Sequence, residues 1–233
     1  MRAIILAAGR GSRMKELTDN NPKCLLEIKG ISLLQSQINS LKAAGISEIA
    51  IVTGYKNHML SEFGLTEFHN KRWEDTQMFF SLSKAHDWLT NFNCIISYSD
   101  IFYESEVVSK LILDKSNLAI TYDVNWLKLW SKRFKNPIDD AESFNFNSFG
   151  FLTEIGNKVN DVKDIKGQYM GLIKTTPAGW ANLIKIYKSL DIHQQENIQI
   201  TNMLGKLIDL KKNSIKVIPI NSKWGEVDTT NDL

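Results

Sequence analysis

The sequence predicts an α/β fold built on a mostly parallel sheet, and three observations carry that expectation. The chain opens on a continuous apolar run, residues 3–8, of the kind found in strands buried on both faces. Glycines follow it directly, at Gly9 and Gly11. Beyond them, strand-like and helix-like segments alternate, which is the pattern of βαβ units.

The elements follow in order. After Pro22 and Gly30, Ile31, Leu34, Ile38 and Leu41 recur at the spacing of an amphipathic helix, and Gly45 is placed to end it. Residues 49–53 read as the second strand. Met78, Leu82, Ala85 and Leu89 mark one face of the next helix; a strand at 94–97, a helix at 105–113 and a strand at 117–122 come after it. Residues 123–142 lack clean periodicity, and about twenty such residues inside a compact domain point to function. Residues 144–155 alternate around Asn147-Ser148-Phe149-Gly150 as a hairpin does. A strand at 168–174, helices at 178–190 and 198–210, and a strand at 215–220 complete the pattern. No repeat or linker divides the chain, so residues 1–233 read as a single domain.

Composition removes several function classes. Lys and Arg number 28 against 26 Asp and Glu, a formal net charge of +2, which leaves no footprint for nucleic acid or an anionic membrane. At 43% hydrophobic the chain is too apolar to be disordered, yet it holds no run long enough to span a bilayer. Cys24 and Cys94 lack metal-ligand spacing and read as two reduced, small hydrophobes. The first apolar run is too short for a signal peptide, so a cytoplasmic location is expected.

The strongest signal is the stretch Leu6-Ala7-Ala8-Gly9-Arg10-Gly11-Ser12-Arg13-Met14, with Pro22-Lys23-Cys24-Leu25 downstream. Glycines after a strand let backbone N–H groups surround an anion, most often phosphate. Met14 stands where a dinucleotide fingerprint needs its third glycine, and the Gly-Lys-Ser/Thr of a Walker A loop is absent. Arg13 adds a cation able to grip phosphate bidentately, and Lys23 adds a compact point charge.

This stretch, with Thr18 and Pro22, resembles the signature of the nucleotidyltransferases that activate sugar phosphates and phosphocholine. The resemblance implies a three-layer, Rossmann-like nucleotidyltransferase fold with a mostly parallel, mixed central sheet. It divides the chain into a nucleotide-binding half, about residues 1–115, and an acceptor-binding half, about residues 116–233. It further implies that Leu6, Ala7, Ala8, Gly9, Gly11, Ser12 and Arg13 surround the nucleotide, with Lys23 on the transferring phosphate.

Asp100 ends the strand that begins at Cys94, and in open α/β sheets the ligand crevice lies beyond the carboxyl ends of strands. Standing alone, Asp100 would serve as readily as a turn or cap. Asp228, after a strand-like segment near the end of the chain, reads the same way, with Asp228 or Thr229 starting a terminal helix. Two carboxylates on one rim beside a triphosphate suggest Mg²⁺. The resemblance makes Asp100 and Asp228 its ligands, with Glu226 as neighbour or substitute. The catalytic set is then Arg13, Lys23 and Asp100.

The segment from Asn70 to Phe80 resembles the helix start that flanks the base in the phosphocholine cytidylyltransferase branch, which implies nucleotide contacts from Thr76 and Gln77; Thr76 also reads as a helix N-cap. That branch usually has Asn where Gln77 stands. Tyr122, Trp126, Trp130 and Glu142 resemble the same branch, and tryptophan faces with carboxylates suit a cationic acceptor, although Trp126 and Trp130 are also spaced to pack as one helical face. Tyr169 belongs to a strand resembling the family's acceptor-pocket wall. Together these imply a Mg²⁺-dependent cytidylyltransferase using CTP and a small phosphorylated substrate for cell-surface or capsule precursors, with no nucleic acid or membrane partner and a homodimer allowed. A sugar-1-phosphate nucleotidyltransferase and a non-catalytic nucleotide-binding module are the alternatives.

Overall fold

Five consecutive buried residues make β1 (Arg2–Ala7) a central strand. The computed structural model describes residues 1–233, the side chain of Asn231 excepted. A short hairpin, β2 (Glu27–Ile28) and β3 (Ile31–Ser32), leads into α1 (Leu33–Ala43). Ile31 therefore belongs to the hairpin and not to the helix face. The Ser32 hydroxyl accepts from the Gln35 amide at 3.1 Å and caps the helix, while Gly45, at φ +88°, ends it. Next come β4 (Ile49–Thr53) and β5 (Thr66–His69), the latter without a clear apolar alternation.

The helix expected across Met78 to Leu89 is broken into α2 (Met78–Ser83) and α3 (His86–Asn91). Lys84 and Ala85 donate to Ser81 and Leu82, a tightening to i−3 bonds that interrupts the helix while Phe79, Leu82, Ala85 and Leu89 stay buried together. Thr76 does not cap it: its hydroxyl donates back to the Arg72 carbonyl at 2.6 Å, and Gln77 holds the cap position without a side-chain bond to the helix amides.

β6 (Cys94–Tyr98), β7 (Ile101–Tyr103), α4 (Ser105–Leu113) and β8 (Leu118–Asp123) follow. The aperiodic stretch then contains α5 (Trp126–Arg133), whose Trp126 and Trp130 are buried on one face. β9 (Glu142–Phe146) and β10 (Leu152–Lys158) form the expected antiparallel hairpin. β11 (Gln168–Thr175) precedes α6 (Pro177–Ser189), an unanticipated α7 (Ile192–Asn197) closed by an Asp191–Gln194 capping box, and α8 (Ile200–Leu210). β12 (Lys216–Ile220) and β13 (Trp224–Glu226) end the strands.

Seven strands form the main sheet in the order β12-β8-β11-β6-β1-β4-β5. All neighbours are parallel except β11, which runs against both β8 and β6, so the sheet is mixed as expected. Helices α1 and α4 pack together on one face, and α2, α3, α6, α7 and α8 form a contacting set on the other, giving three layers. Parallel β1, β4 and β6 deliver Ala8, Gly54 and Asp100 to one rim. β13 pairs antiparallel with β7, and the Val227 amide donates to the Asp100 carbonyl at 2.9 Å, which brings the end of the chain to the same rim.

Candidate active site

The loop after β1 is shaped by Gly11. Its φ of +72° suits glycine, and a Cβ there would lie 2.7 Å from Lys23 Cδ, so the close approach of the loop to Lys23 also requires the missing side chain. Gly9 faces open space, with nothing within 4 Å of where its Cβ would be. Tyr55 pins the far end of the loop by donating to the Thr18 and Asp19 carbonyls at 2.9 and 2.6 Å. Thr18 is buried and donates to the Gly11 carbonyl at 3.1 Å.

A cavity of about 690 Å³ opens above this loop. Leu6, Ala8, Gly9, Gly11, Ser12, Arg13, Lys23, Thr76 and Gln77 line it, and so do Asp100 and Asp228. Ala7 does not reach it; as the last residue of β1 it is buried in the core. Trp73, in the segment whose resemblance marked the base side and edge-on to Tyr55 at 5.2 Å between centroids, also lines the cavity, as does Gln199, whose amide donates to Gln77 Oε1 at 2.6 Å and which had no distinguishing sequence signal.

A second cavity, about 410 Å³, adjoins the first, and the two share Arg13, Met78, Tyr98, Gln199 and Asp228. Trp130, Glu142 and Tyr169 line it as expected, together with Asp140, Gln168, Thr201 and Glu226. Tyr122 and Trp126 do not. Tyr122 is packed between Phe144 and Phe146 under the β9–β10 hairpin, and Trp126 lies in the core behind Trp130. A register spacing of four placed both tryptophans on one helix face, but only the one nearer β13 reaches the cavity wall. Trp130 also donates its indole N–H to Asp140 at 3.2 Å.

At the seam of the cavities sits a compact charge cluster. Lys23 Nζ donates to Asp100 Oδ2 at 2.9 Å and to Asp228 Oδ1 at 2.8 Å, and Arg13 pairs with the other oxygen of Asp228. Burial works against the Lys23 charge, but Asp100 and Asp228 outweigh it and hold its pKa above the usual lysine range. Glu226 stands beside them; burial, then the two aspartates, push its carboxyl up to about 7, opposed by Arg133 and Lys23. Arg133 donates to Glu226 at 3.2 Å and to Asp232 at 2.7 Å, and Asp232 in turn accepts from the Asp228 and Thr229 amides at 3.0 and 2.8 Å. Thr229, rather than Asp228, starts the final turn.

Asp100, Glu226 and Asp228 each offer a carboxylate oxygen within 4.8 Å of the others. Three hard oxygen donors at one point, one of them Asp100 Oδ1 buried with no partner, fit a divalent cation such as Mg²⁺. In the second cavity Glu142 has neither ion pair nor side-chain hydrogen bond among the described residues, and burial followed by the neighbouring Asp140 raises its pKa.

A mixed three-layer sheet with a glycine loop, two cations and three carboxylates between two adjoining cavities defines the class of nucleotidyltransferases. Residues 3–134 match the MobA-like NTP transferase domain, and the chain belongs to that family. It is 39% identical to the CTP:phosphoglutamine cytidylyltransferase of Campylobacter jejuni, covering all of this chain and 98% of that one. Over 95 residues, 39% of this chain and 42% of the relative, it is 36% identical to the choline-phosphate cytidylyltransferase of Streptococcus pneumoniae. The fold matches the inositol-1-phosphate CTP transferase from T. maritima with a TM-score of 0.78 at 19% identity, covering 100% of this chain and 91% of that one. It matches the Streptococcus pneumoniae CTP:phosphocholine cytidylyltransferase with a TM-score of 0.68 at 20% identity, covering 99% and 95%.

Proposed function

We propose that the chain is a Mg²⁺-dependent cytidylyltransferase that joins CMP from CTP to a small phosphorylated acceptor and releases pyrophosphate. The observation that carries this reading is the meeting of the two cavities at Arg13 and Asp228, where a bond between two phosphates would form. The larger cavity suits the nucleotide and the smaller the acceptor, which divides the work between the halves around residues 1–115 and 116–233. An amino-acid-like acceptor is favoured, because the phosphoglutamine enzyme is similar along the whole chain whereas the choline-phosphate relative matches less than half of it.

In this reading an oxygen of the acceptor phosphate attacks the α-phosphorus of CTP, the bond from that phosphorus to the bridging oxygen breaks, and pyrophosphate leaves with the electron pair. The acceptor phosphate is mostly dianionic at neutral pH, its second pKa being about 6, so no side chain has to act as general base. The N–H groups around Gly9, Gly11 and Ser12 hold the phosphates. Arg13 and Lys23 offset the negative charge that develops as the leaving group departs, and they are already in position before reaction. Asp100, Glu226 and Asp228 would hold Mg²⁺, which neutralises phosphate charge when bound. Gln77, oriented by Gln199, faces the base, and Glu142, Trp130 and Tyr169 face the acceptor.

The product class suits an activated building block made in the cytoplasm for surface polymers. A sugar-1-phosphate acceptor is disfavoured by the carboxylates of Asp140 and Glu142 on the cavity wall, to which a neutral ring brings no cation. Pyrophosphate release across four nucleotides and a panel of phosphorylated amino acids, amino alcohols and sugars tests the assignment. CTP-dependent release with an amine-bearing acceptor is the expected result; release only with another nucleotide and a sugar phosphate, or binding without release, would overturn it.

A further inference from the structure

Lys23 occupies the position from which a cation would bridge the aspartates. Its two carboxylate partners, Asp100 at 2.9 Å and Asp228 at 2.8 Å, are its only hydrogen-bond acceptors among the described residues. Arg13 covers the remaining oxygen of Asp228, so both oxygens of that carboxylate already face positive charge. The Lys23 side chain is 9% exposed and that of Asp228 5%. Asp100 Oδ1 stays unpartnered, but a free divalent ion that also takes Asp228 as a ligand would have to expel the ammonium or the guanidinium from it. Expelling the ammonium would leave it buried beside a second positive charge, with nothing to accept its protons.

A triphosphate reverses the balance. Bound over Gly9, Gly11 and Ser12, it brings oxygens within reach of Lys23 and Arg13, which also line that cavity. Both cations gain new acceptors, and Asp228 and Asp100 are released together. We propose that Lys23 and Arg13 keep the metal site closed in the nucleotide-free protein, so that a divalent cation is taken up only together with the nucleoside triphosphate. Coupling between two bound ligands is reciprocal, so the cation strengthens triphosphate binding by the same factor. The inference rests on the reading of Asp100, Glu226 and Asp228 as metal ligands.

Mn²⁺ alone, followed by loss of its free-ion signal in electron paramagnetic resonance, reads the site without turnover. Nucleotide-free wild type binds it weakly, and Lys23→Met binds it about tenfold or more tightly. Lys23→Arg, which keeps a cation between the aspartates, stays weak, and adding Asp100→Asn to Lys23→Met removes the gain. Wild-type affinity for CTP, measured in EDTA and again in excess Mn²⁺, rises by a comparable factor and needs no variant to fold. Nucleotide-free wild type binding Mn²⁺ as tightly as Lys23→Met, or CTP affinity indifferent to Mn²⁺, would overturn the closed site while leaving the metal reading intact. If neither CTP-loaded wild type nor Lys23→Met takes up Mn²⁺, the metal reading falls and this inference with it.

Discussion

Lys23 Nζ and Asp228 Oδ1 are 205 positions apart in the chain and 2.8 Å apart in space. This contact joins the loop after the first strand to the end of the chain, which no local pattern could have specified. It also defines the first prediction. Lys23→Ala and Asp100→Ala each lower turnover by about two to three orders of magnitude at saturating Mg²⁺ and CTP, the usual effect of deleting one preorganised charge. Far-ultraviolet circular dichroism at 25 °C shows both variants folded, with Lys23→Ala melting at the lower temperature because buried Asp228 loses one of its cations. Pyrophosphate release near the wild-type rate in either variant would remove these residues from the chemistry.

Gly9 and Gly11 separate two roles that glycine plays in one loop. At Gly11 an alanine must adopt φ near +72° and push against the Lys23 stem, so Gly11→Ala destabilises the fold by about 1–3 kcal/mol and weakens CTP binding. At Gly9 the space is open, so Gly9→Ala leaves the urea midpoint unchanged and weakens CTP binding alone. Equal urea midpoints for the two variants would contradict this division.

Arg133 links α5 to both ends of the acidic cluster, with a side chain only 8% exposed. Arg133→Met leaves Glu226 and Asp232 without their cation, which costs about 3 kcal/mol or more for a buried network. Because Asp232 holds the Asp228 amide, the same change raises the Mg²⁺ concentration needed for half-maximal rate, whereas the KM for CTP moves less. Thermal unfolding and a Mg²⁺ titration separate the two effects.

Cys24 and Cys94 are buried and unpaired, and burial pushes both thiols up to about 12. Neither offers thiolate near neutral pH. Ellman's reagent therefore reacts with no thiol in the native protein and with both after denaturation; rapid reaction of either thiol in the native state would be inconsistent with this burial.

What the sequence revealed follows from how local each signal is. The buried strands read at residues 49–53 and 94–97 were legible because short, mostly apolar runs have one common explanation in a parallel sheet. The glycine loop and Lys23 were legible because cations beside glycines state their chemistry in a few residues. The break between α2 and α3 was hidden, since the buried positions keep a helical period through it. β5 escaped because only one of its four residues is even half-buried, and β13 showed only as a strand-like segment before Asp228 without bounds, because three residues carry no period. Thr76 looked like a cap, but its hydroxyl turns back to the Arg72 carbonyl four residues earlier, a choice that residue type alone does not reveal. Gln199 reaches both cavities only through the packing of α8, which no spacing along the chain encodes.

The acceptor wall supplies the last prediction, in which burial separates residues that composition had grouped. Glu142 faces the second cavity with no partner of its own among the described residues, whereas Tyr122 is sealed beneath the hairpin. Glu142→Gln thus raises the KM for an amine-bearing acceptor by up to about fivefold, the loss expected for one charge contact open to solvent, and leaves the KM for CTP unchanged. Tyr122→Phe keeps the packing against Phe144 and Phe146 and alters neither constant. Burial raises the Glu142 carboxyl, so its charge is lost at a higher pH than for an ordinary glutamate. Acceptor KM accordingly climbs on acidification in wild type, and Glu142→Gln flattens that rise; a profile of the same shape in both proteins would assign the cation contact elsewhere.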